Sequence, residues 1–138
     1  MNWMLLPYRR YFEFSGRSRR KEYWMFALFG FLVNLAITVL FGRTAYTTMG
    51  WSVGINTQLN GVGDAISGLF ALVNFIPSLS VWVRRLHDID RSAWWILLIF
   101  LPILGWFALL VFMCLDGTRG PNRYGPDPKN PYEVDVFR

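Results

Sequence analysis

The sequence predicts an all-α integral membrane protein that has three apolar segments, a helix lying in the membrane interface near the N-terminus, and an irregular C-terminal tail. Two observations support this fold class. Hydrophobic residues make up 54% and charged residues 17% of the 138 residues, against roughly 45–50% and 25% in soluble domains. The charges also lie almost entirely between three long uncharged stretches, whereas a soluble domain carries charges on the outer face of every surface helix. Lipid is therefore the expected solvent of these stretches.

Each of the three apolar segments is long enough to cross the hydrocarbon core of a membrane. They cover residues 23–42, 65–83 and 93–115, and none contains a Lys, Arg, Asp, Glu or His. At about 1.5 Å of helix rise per residue, even the shortest reaches about 28 Å, close to the thickness of that core. The third carries Pro102 and Gly105 near its centre. A kinked single crossing is the simpler prediction for it, and a re-entrant hairpin is the alternative.

The remaining parts of the chain are polar or irregular. The stretch "NWMLLPYRRYFEF", residues 2–14, interleaves apolar and charged residues and predicts a short amphipathic helix in the interface. Residues 43–64 are rich in Gly, Thr and Asn, and predict a loop or a short surface structure. Four prolines and three glycines in residues 116–138 exclude a long helix there. Residues 1–138 are predicted to form a single membrane domain.

The distribution of Lys and Arg predicts which segment ends face the cytoplasm. The first 22 residues carry six such residues, residues 43–64 carry one, and residues 84–92 carry three. The N-terminus and the second loop are therefore predicted to be cytoplasmic, in a multi-pass protein whose first loop is external. A single crossing by the third segment would make the tail external, although the tail itself is basic close to the membrane, with Arg119, Arg123 and Lys129.

The second loop and its flanks, "VRRLHDIDRSAWW", residues 83–95, form what we call the elbow. Within it, His87 and Asp88 are weak candidates for acid–base catalysis, since any polar loop can supply such a pair. A tight metal site needs at least three protein ligands, and the chain has a single histidine and a single cysteine, so neither a metal nor a cofactor is predicted. Ser92 suits the N-cap of the third helix. Cys114, flanked by apolar residues, is predicted to be buried.

Seven basic residues beside the apolar segments are predicted to bind anionic lipid. An Arg or Lys near an anionic membrane surface gains roughly 1 kcal/mol of binding free energy. No nucleic-acid partner is predicted, because these residues lie directly at the ends of apolar segments, where a membrane surface already accounts for their charge. The seven residues are Arg17, Arg19, Arg20, Lys21, Arg84, Arg85 and Arg91.

Two amides lie within the apolar segments. Counted along a helix from the same membrane face, Asn34 and Asn74 have depths of about 16 and 14 Å, near the bilayer midplane. An amide in hydrocarbon requires a partner, and an interhelical amide bond contributes about 0.6–2 kcal/mol. These residues are predicted to pack the first and second segments together, and a contact with a substrate or ion is the alternative.

Three ordered motifs separated by apolar segments carry a family resemblance. These motifs, "FSGRSRRKEYW", "RRLHDIDRSAWW" and "GTRGPNRYGPDP", resemble the bacterial inner-membrane family called domain of unknown function 805. The resemblance covers nearly the whole chain, and it implies a small polytopic protein of the bacterial inner membrane. It implies no activity, cofactor or catalytic residue. A motif within the tail favours an ordered role for that segment.

The sequence favours a non-enzymatic membrane component that binds anionic lipid, or a membrane-protein partner, through an arginine-rich cytoplasmic face. A small chain of this kind is also expected to form homo-oligomers or to join a partner protein. The alternatives are a small transporter or channel subunit, and an enzyme acting on lipid headgroups with His87 as its base. The absence of charge within the apolar segments disfavours ion-coupled transport.

Overall fold

The computed structural model describes residues 3–49 and 52–130. Trp51, in the first loop that the sequence predicts to be external, and residues 131–138 of the tail lie outside this range. The helices are α1 (Leu6–Arg9), α2 (Arg20–Phe41), α3 (Gly61–Asp88) and α4 (Leu104–Cys114), with a 3₁₀ helix at Ala93–Phe100. Two strands, β1 (Gly42–Met49) and β2 (Ser52–Leu59), lie between α2 and α3. The fold is mostly helical, as the sequence predicts.

Helices α2 and α3 are long and apolar enough to cross a membrane. They have 22 and 28 residues, and only 11% and 28% of their most apolar windows are buried inside the protein. The core helix of a soluble protein buries most of such a window, whereas here large apolar side chains such as Phe31 and Leu72 face outwards. The first two predicted apolar segments are thus confirmed as long helices whose exposed surfaces suit a lipid solvent.

The described residues form two compact units. One unit consists of residues 28–49 and 52–75, and the other of residues 3–27 and 76–130. In the first, β1 and β2 form an antiparallel hairpin whose register runs from Gly42 opposite Leu59 to Met49 opposite Ser52. The sequence prediction of a loop or short surface structure at 43–64 is therefore refined to a regular hairpin. The single domain at 1–138 stays a prediction.

The two intramembrane amides bond to their own helices. Asn34 donates through Nδ2 to the carbonyl of Gly30 at 2.9 Å, and Asn74 donates to the carbonyl of Phe70 at 2.7 Å. Each bond uses one of the two N–H donors of the side-chain amide, which also carries an acceptor oxygen. The packing role predicted for the pair stays a prediction.

The third apolar segment is not one helix. The 3₁₀ helix ends at Phe100, and a turn at 101–103 leads into α4. At this turn the amide of Leu104 donates to the carbonyl of Pro102 at 2.7 Å, and Ile103 has φ 63° and ψ −69°. These values mark a γ-turn centred on Ile103, of the rare type whose central residue has a positive φ. The rings of Trp95 and Phe112 meet with centroids 5.5 Å apart, whereas a straight helix would separate these residues by about 26 Å.

The segment therefore folds back on itself as a helical hairpin. Trp106 donates through Nε1 to the carbonyl of Ile99 at 2.8 Å and links the two arms. Gly105 lies against the backbone of Leu98 at a separation that leaves no room for a Cβ atom. The kinked single crossing, which sequence reasoning prefers, disagrees with this geometry, because it keeps the two ends of the segment far apart. A third crossing is not confirmed.

The N-terminal segment and the tail are both ordered by packing. Helix α1 is a single turn with Pro7 at its start, and the ring of Tyr8 packs edge-on against Phe26 with centroids 5.6 Å apart. The predicted N-terminal helix thus exists but is short. The tail makes a tight turn in which Asn122 and Gly125 exchange backbone hydrogen bonds. It packs against the N-terminal segment and the elbow, which conflicts with the external tail that a single crossing implies.

Candidate functional site

Five charged side chains at the end of α3 and the start of α2 form a buried charge cluster. Arg84, Arg85 and Asp88 occupy the last turns of α3, beyond its uncharged stretch. Glu22 lies in the first turn of α2, and Arg17 precedes that helix. All five are buried. Buried charges have to be paired, since an isolated ion in a low-dielectric interior is very costly.

Asp88 is the centre of the charge cluster. Its carboxylate accepts a hydrogen bond from Arg17 Nε at 3.0 Å and another from Arg85 Nη1 at 2.8 Å. Its backbone carbonyl accepts from the amide of Thr118 at 2.9 Å. A Cβ atom at Gly117 would collide with the Asp88 carboxylate. Because Arg17 and Arg85 hold this carboxylate, a side chain at position 117 would displace it from its two partners.

The two arginines that hold Asp88 also bind backbone carbonyls in the tail and at Leu115, the residue just before it. Arg17 donates to the carbonyls of Thr118 and Gly120, the latter at 2.7 Å, and Arg85 donates to the carbonyl of Leu115. A guanidinium carries five N–H donors in a fixed planar fork, so one side chain can satisfy a carboxylate and several carbonyls together. These contacts join the N-terminal segment, the elbow and the tail.

Arg84 and Glu22 form a second pair of a different kind. Arg84 Nη1 lies 3.1 Å from Glu22 Oε1, with side-chain exposures of 0% and 3%. The distance makes an ion pair, but within the described residues no nitrogen of the Arg84 guanidinium has a hydrogen-bond partner, nor does Glu22 Oε1. The pair is held by charge attraction without aligned hydrogen bonds. Each member depends on the other for charge compensation.

His87, a weak catalytic candidate in the sequence together with Asp88, holds the tail in place. Its ring stacks on Tyr124 with centroids 3.8 Å apart and an interplanar angle of 5°. Its Nδ1 lies 3.3 Å from the carbonyl of Gly16, and its own carbonyl accepts from Asn122 at 2.9 Å. Among the residues that the structure describes, no group of three His, Cys, Asp or Glu side chains could hold a metal. A catalytic role stays a hypothesis.

Four basic side chains line a basic groove at the surface, with a volume of about 680 Å³. Its walls are Arg19, Arg20, Lys21 and Lys129, together with Trp24 and Cys114. Cys114 is exposed, and the sequence prediction that it is buried is wrong. Its apolar neighbours are typical of a core helix. Cys114 is nevertheless the last residue of α4, and it lines the groove.

Asp116 lies beside the basic groove and pairs with two of its cations. Its Oδ1 is 2.5 Å from Arg20 Nη2 and 3.0 Å from Lys129 Nζ. The hydrogen bond from Lys129 lowers the pKa of Asp116 below its ordinary value, and the charge of Arg20 lowers it further. The carboxylate is therefore ionised at neutral pH. One acidic group offsets four basic ones, which leaves this surface net positive.

The predicted lipid-binding residues thus divide by burial. Arg17, Arg84 and Arg85 lie in the charge cluster, where protein groups surround them. Arg91 is exposed at the base of the helical hairpin, where its guanidinium lies 5.3 Å from the centroid of the Trp95 ring. Ser92 caps the 3₁₀ helix by accepting from the amide of Trp94, as the sequence predicts for this position. The remaining three, all in the basic groove, are Arg19, Arg20 and Lys21.

Sequence reasoning missed Lys129 as a member of the basic groove. The available signal was the third motif, "GTRGPNRYGPDP", which suggests an ordered tail. An ordered tail on the same side as the N-terminal segment would have placed Lys129 beside Arg19, Arg20 and Lys21. The preferred single crossing directed the tail to the opposite side instead.

Comparison with known proteins identifies the family. A family model described as "Protein of unknown function (DUF805)" matches residues 11–126. The chain belongs to the DUF805 family. It is 43% identical to the inner membrane protein YhaH of Escherichia coli over 94% of this chain and 98% of that protein. It is 44% identical to the Escherichia coli inner membrane protein YhaI over 94% and 97%.

A more distant relative is the uncharacterized protein YiiR of Escherichia coli, at 27% identity over 86% of this chain and 88% of that one. No solved structure matches the chain. The family resemblance predicted from the three motifs is confirmed, and the apolar helices agree with the inner-membrane names of the relatives. The matched residues include the whole charge cluster and Asp116, but end before Lys129.

Proposed function

We propose that this DUF805 protein is a non-enzymatic, multi-pass component of the bacterial inner membrane whose cytoplasmic face binds anionic lipid headgroups. The observation that carries the proposal is the basic groove. Its four cations are at least partly exposed, and Trp24, a residue that is 44% exposed, lies next to them. Tryptophan favours the boundary between headgroups and hydrocarbon, where its apolar body and polar tip are both solvated. Cations beside such a ring lie at the level of lipid phosphates.

The helical hairpin supports a re-entrant third segment with both of its ends on the cytoplasmic side. Helix α4 has 11 residues and covers only about 16 Å, half of what a crossing requires. A re-entrant hairpin leaves two crossings, by α2 and α3, and a cytoplasmic N-terminus and tail. The basic residues Arg119, Arg123 and Lys129 then lie on the cytoplasmic side, in agreement with the positive-inside rule.

Lipid selection by the purified protein tests this proposal. The full chain is purified in detergent with equimolar dioleoyl phosphatidylglycerol and dioleoyl phosphatidylcholine, and the lipid that it retains is counted by native mass spectrometry. We expect retention of phosphatidylglycerol to exceed that of phosphatidylcholine by about tenfold or more, since several cations each contribute roughly 1 kcal/mol. Equal retention of the two lipids would contradict the proposal.

A charge-matched pair of variants locates the effect. The triple change Arg19→Gln, Arg20→Gln and Lys21→Gln removes three charges from the basic groove, and it is expected to abolish the preference. The control changes Arg9, Arg43 and Arg119 to Gln, which removes three exposed charges elsewhere. The control should retain the preference. The transporter and headgroup-enzyme hypotheses remain the alternatives that the sequence left open.

A further inference from the structure

The basic groove adjoins an apolar slot, and the two share a wall. The slot has a volume of about 480 Å³ and is lined by Trp24, Trp82, Trp106, Leu110 and Met113, among others. Trp24 also lines the basic groove, and Cys114 of the groove follows Met113 directly in α4. The slot therefore begins where the cations end. Its volume lies within the range of about 300–1,000 Å³ that is usual for small-molecule sites.

We infer that the groove and the slot together bind a single anionic phospholipid, with its phosphate against Arg20 and Lys129 and one acyl chain in the slot. This inference rests on the proposed function and makes it more specific. A diffuse positive surface attracts many headgroups weakly, whereas a site with both parts holds one molecule in one orientation. The slot alone would accept any hydrocarbon chain, and the groove alone any anion.

The charges around the groove select the headgroup. The four cations face one carboxylate, that of Asp116, which already occupies Arg20 and Lys129. A phosphate presents the same kind of oxygen acceptors, so it competes with Asp116 for these two partners. A zwitterionic headgroup adds a cation close to the others and is disfavoured. We expect Asp116→Asn to raise the affinity for an anionic lipid several-fold.

The apolar slot selects an amphiphile over a soluble anion. Its lining residues are aromatic or aliphatic, and they come from α2, α3 and both arms of the helical hairpin. Leu110 lines the slot and is 54% exposed, so a larger side chain there fills the slot without entering a packed core. Leu110→Trp therefore blocks the acyl chain while leaving the basic groove unchanged. Leu104→Trp, also at an exposed site on α4 but outside the slot lining, is the matched control.

The native Cys114 can be labelled to report on the site, so no cysteine has to be introduced. It is the only cysteine of the chain, it is exposed, and it lines the groove. The full-length protein in detergent is labelled with a polar maleimide in the presence of dioleoyl phosphatidylglycerol, dioleoyl phosphatidylcholine or glycerol phosphate. We expect phosphatidylglycerol to slow labelling at least tenfold, and the other two to slow it little.

The variants decide between the possible outcomes. Protection by phosphatidylglycerol should be lost in Leu110→Trp and retained in Leu104→Trp, with circular dichroism showing that both variants are folded. Equal protection by glycerol phosphate, or full protection in Leu110→Trp, would overturn the single-lipid site while leaving the proposed function intact. If phosphatidylglycerol is neither retained nor protective in the unmodified protein, the inference and the proposed function both fail.

Discussion

At the scale of single residues, burial divides the arginines into two groups with different roles. Arg17 and Arg85 are buried, and their N–H groups bind Asp88 and carbonyls of the tail. Arg20 is exposed in the basic groove and shares Asp116 with Lys129. The same residue type thus orders the fold in one place and faces the surface in the other. Arg20 also donates to a backbone carbonyl, that of Cys114 at 3.0 Å, so the two groups differ in exposure and not in the number of protein acceptors.

The Glu22–Arg84 pair gives a prediction about stability. Glu22→Leu leaves the fully buried Arg84 guanidinium without its counter-charge, and losing one partner of a buried pair typically costs about 3–5 kcal/mol. We expect a loss of that size in the free energy of unfolding, measured by denaturant titration in detergent. Adding Arg84→Met to Glu22→Leu removes both charges and should restore most of the stability, because a buried ion pair can be replaced by apolar residues at little cost.

An exposed pair supplies the control for this experiment. Asp90 lies 3.1 Å from Arg123, and their side chains are 46% and 61% exposed, so Asp90→Asn should cost only about 0–1 kcal/mol. A double variant as unstable as Glu22→Leu would show that Glu22 acts through packing and not through its charge.

At the scale of elements, the helical hairpin depends on one glycine. A Cβ atom at position 105 would lie within van der Waals radii of the Leu98 backbone, which cannot move aside as a flexible side chain does. Gly105→Ala should therefore separate the arms of the hairpin. Gly30→Ala is the control, because an added Cβ there contacts nothing within 4 Å.

Cross-linking between the arms measures this separation. Trp95 and Phe112 are replaced by cysteine in a Cys114→Ser background, and a short bifunctional maleimide is added. The unmodified hairpin should cross-link efficiently, since the two native rings are in contact, and Gly105→Ala should reduce the yield several-fold. Efficient cross-linking after Gly105→Ala would show that the turn tolerates the extra atom.

At the scale of the whole molecule, the contacts of the tail predict its side of the membrane. Arg17 and Arg19 bind carbonyls at Gly120 and Pro128, so the tail and the N-terminal segment lie on the same side. With a cytoplasmic N-terminus, alkaline phosphatase fused to the C-terminus should be inactive, and a fluorescent protein fused there should be bright. Phosphatase fused after Gly50 should be active, because only the first span precedes it. An active phosphatase at the C-terminus would contradict the re-entrant hairpin.

Several features of this protein could be read from the sequence because they depend on local composition. Uncharged stretches of about 20 residues indicate helices in lipid whatever they pack against, and α2 and α3 agree. Ser92 was predicted as a cap because the preference for serine there comes from its own hydroxyl group. The family could be recognised because its motifs are continuous in the chain. The pairing of β1 with β2 was not predicted, because strand pairing depends on a partner segment.

By itself, then, the sequence determined that the long uncharged stretches lie in lipid, which family the chain belongs to, and where the two long helices are. Each of these follows from residues that are neighbours in the chain. Only the tertiary structure decided which arginines are buried, because burial depends on which distant parts of the chain pack around each side chain, as residues 115–120 do around Arg17 and Arg85. It also decided the course of the third segment. A proline and a glycine permit either a kink or a reversal, and the contacts between the two arms select the reversal.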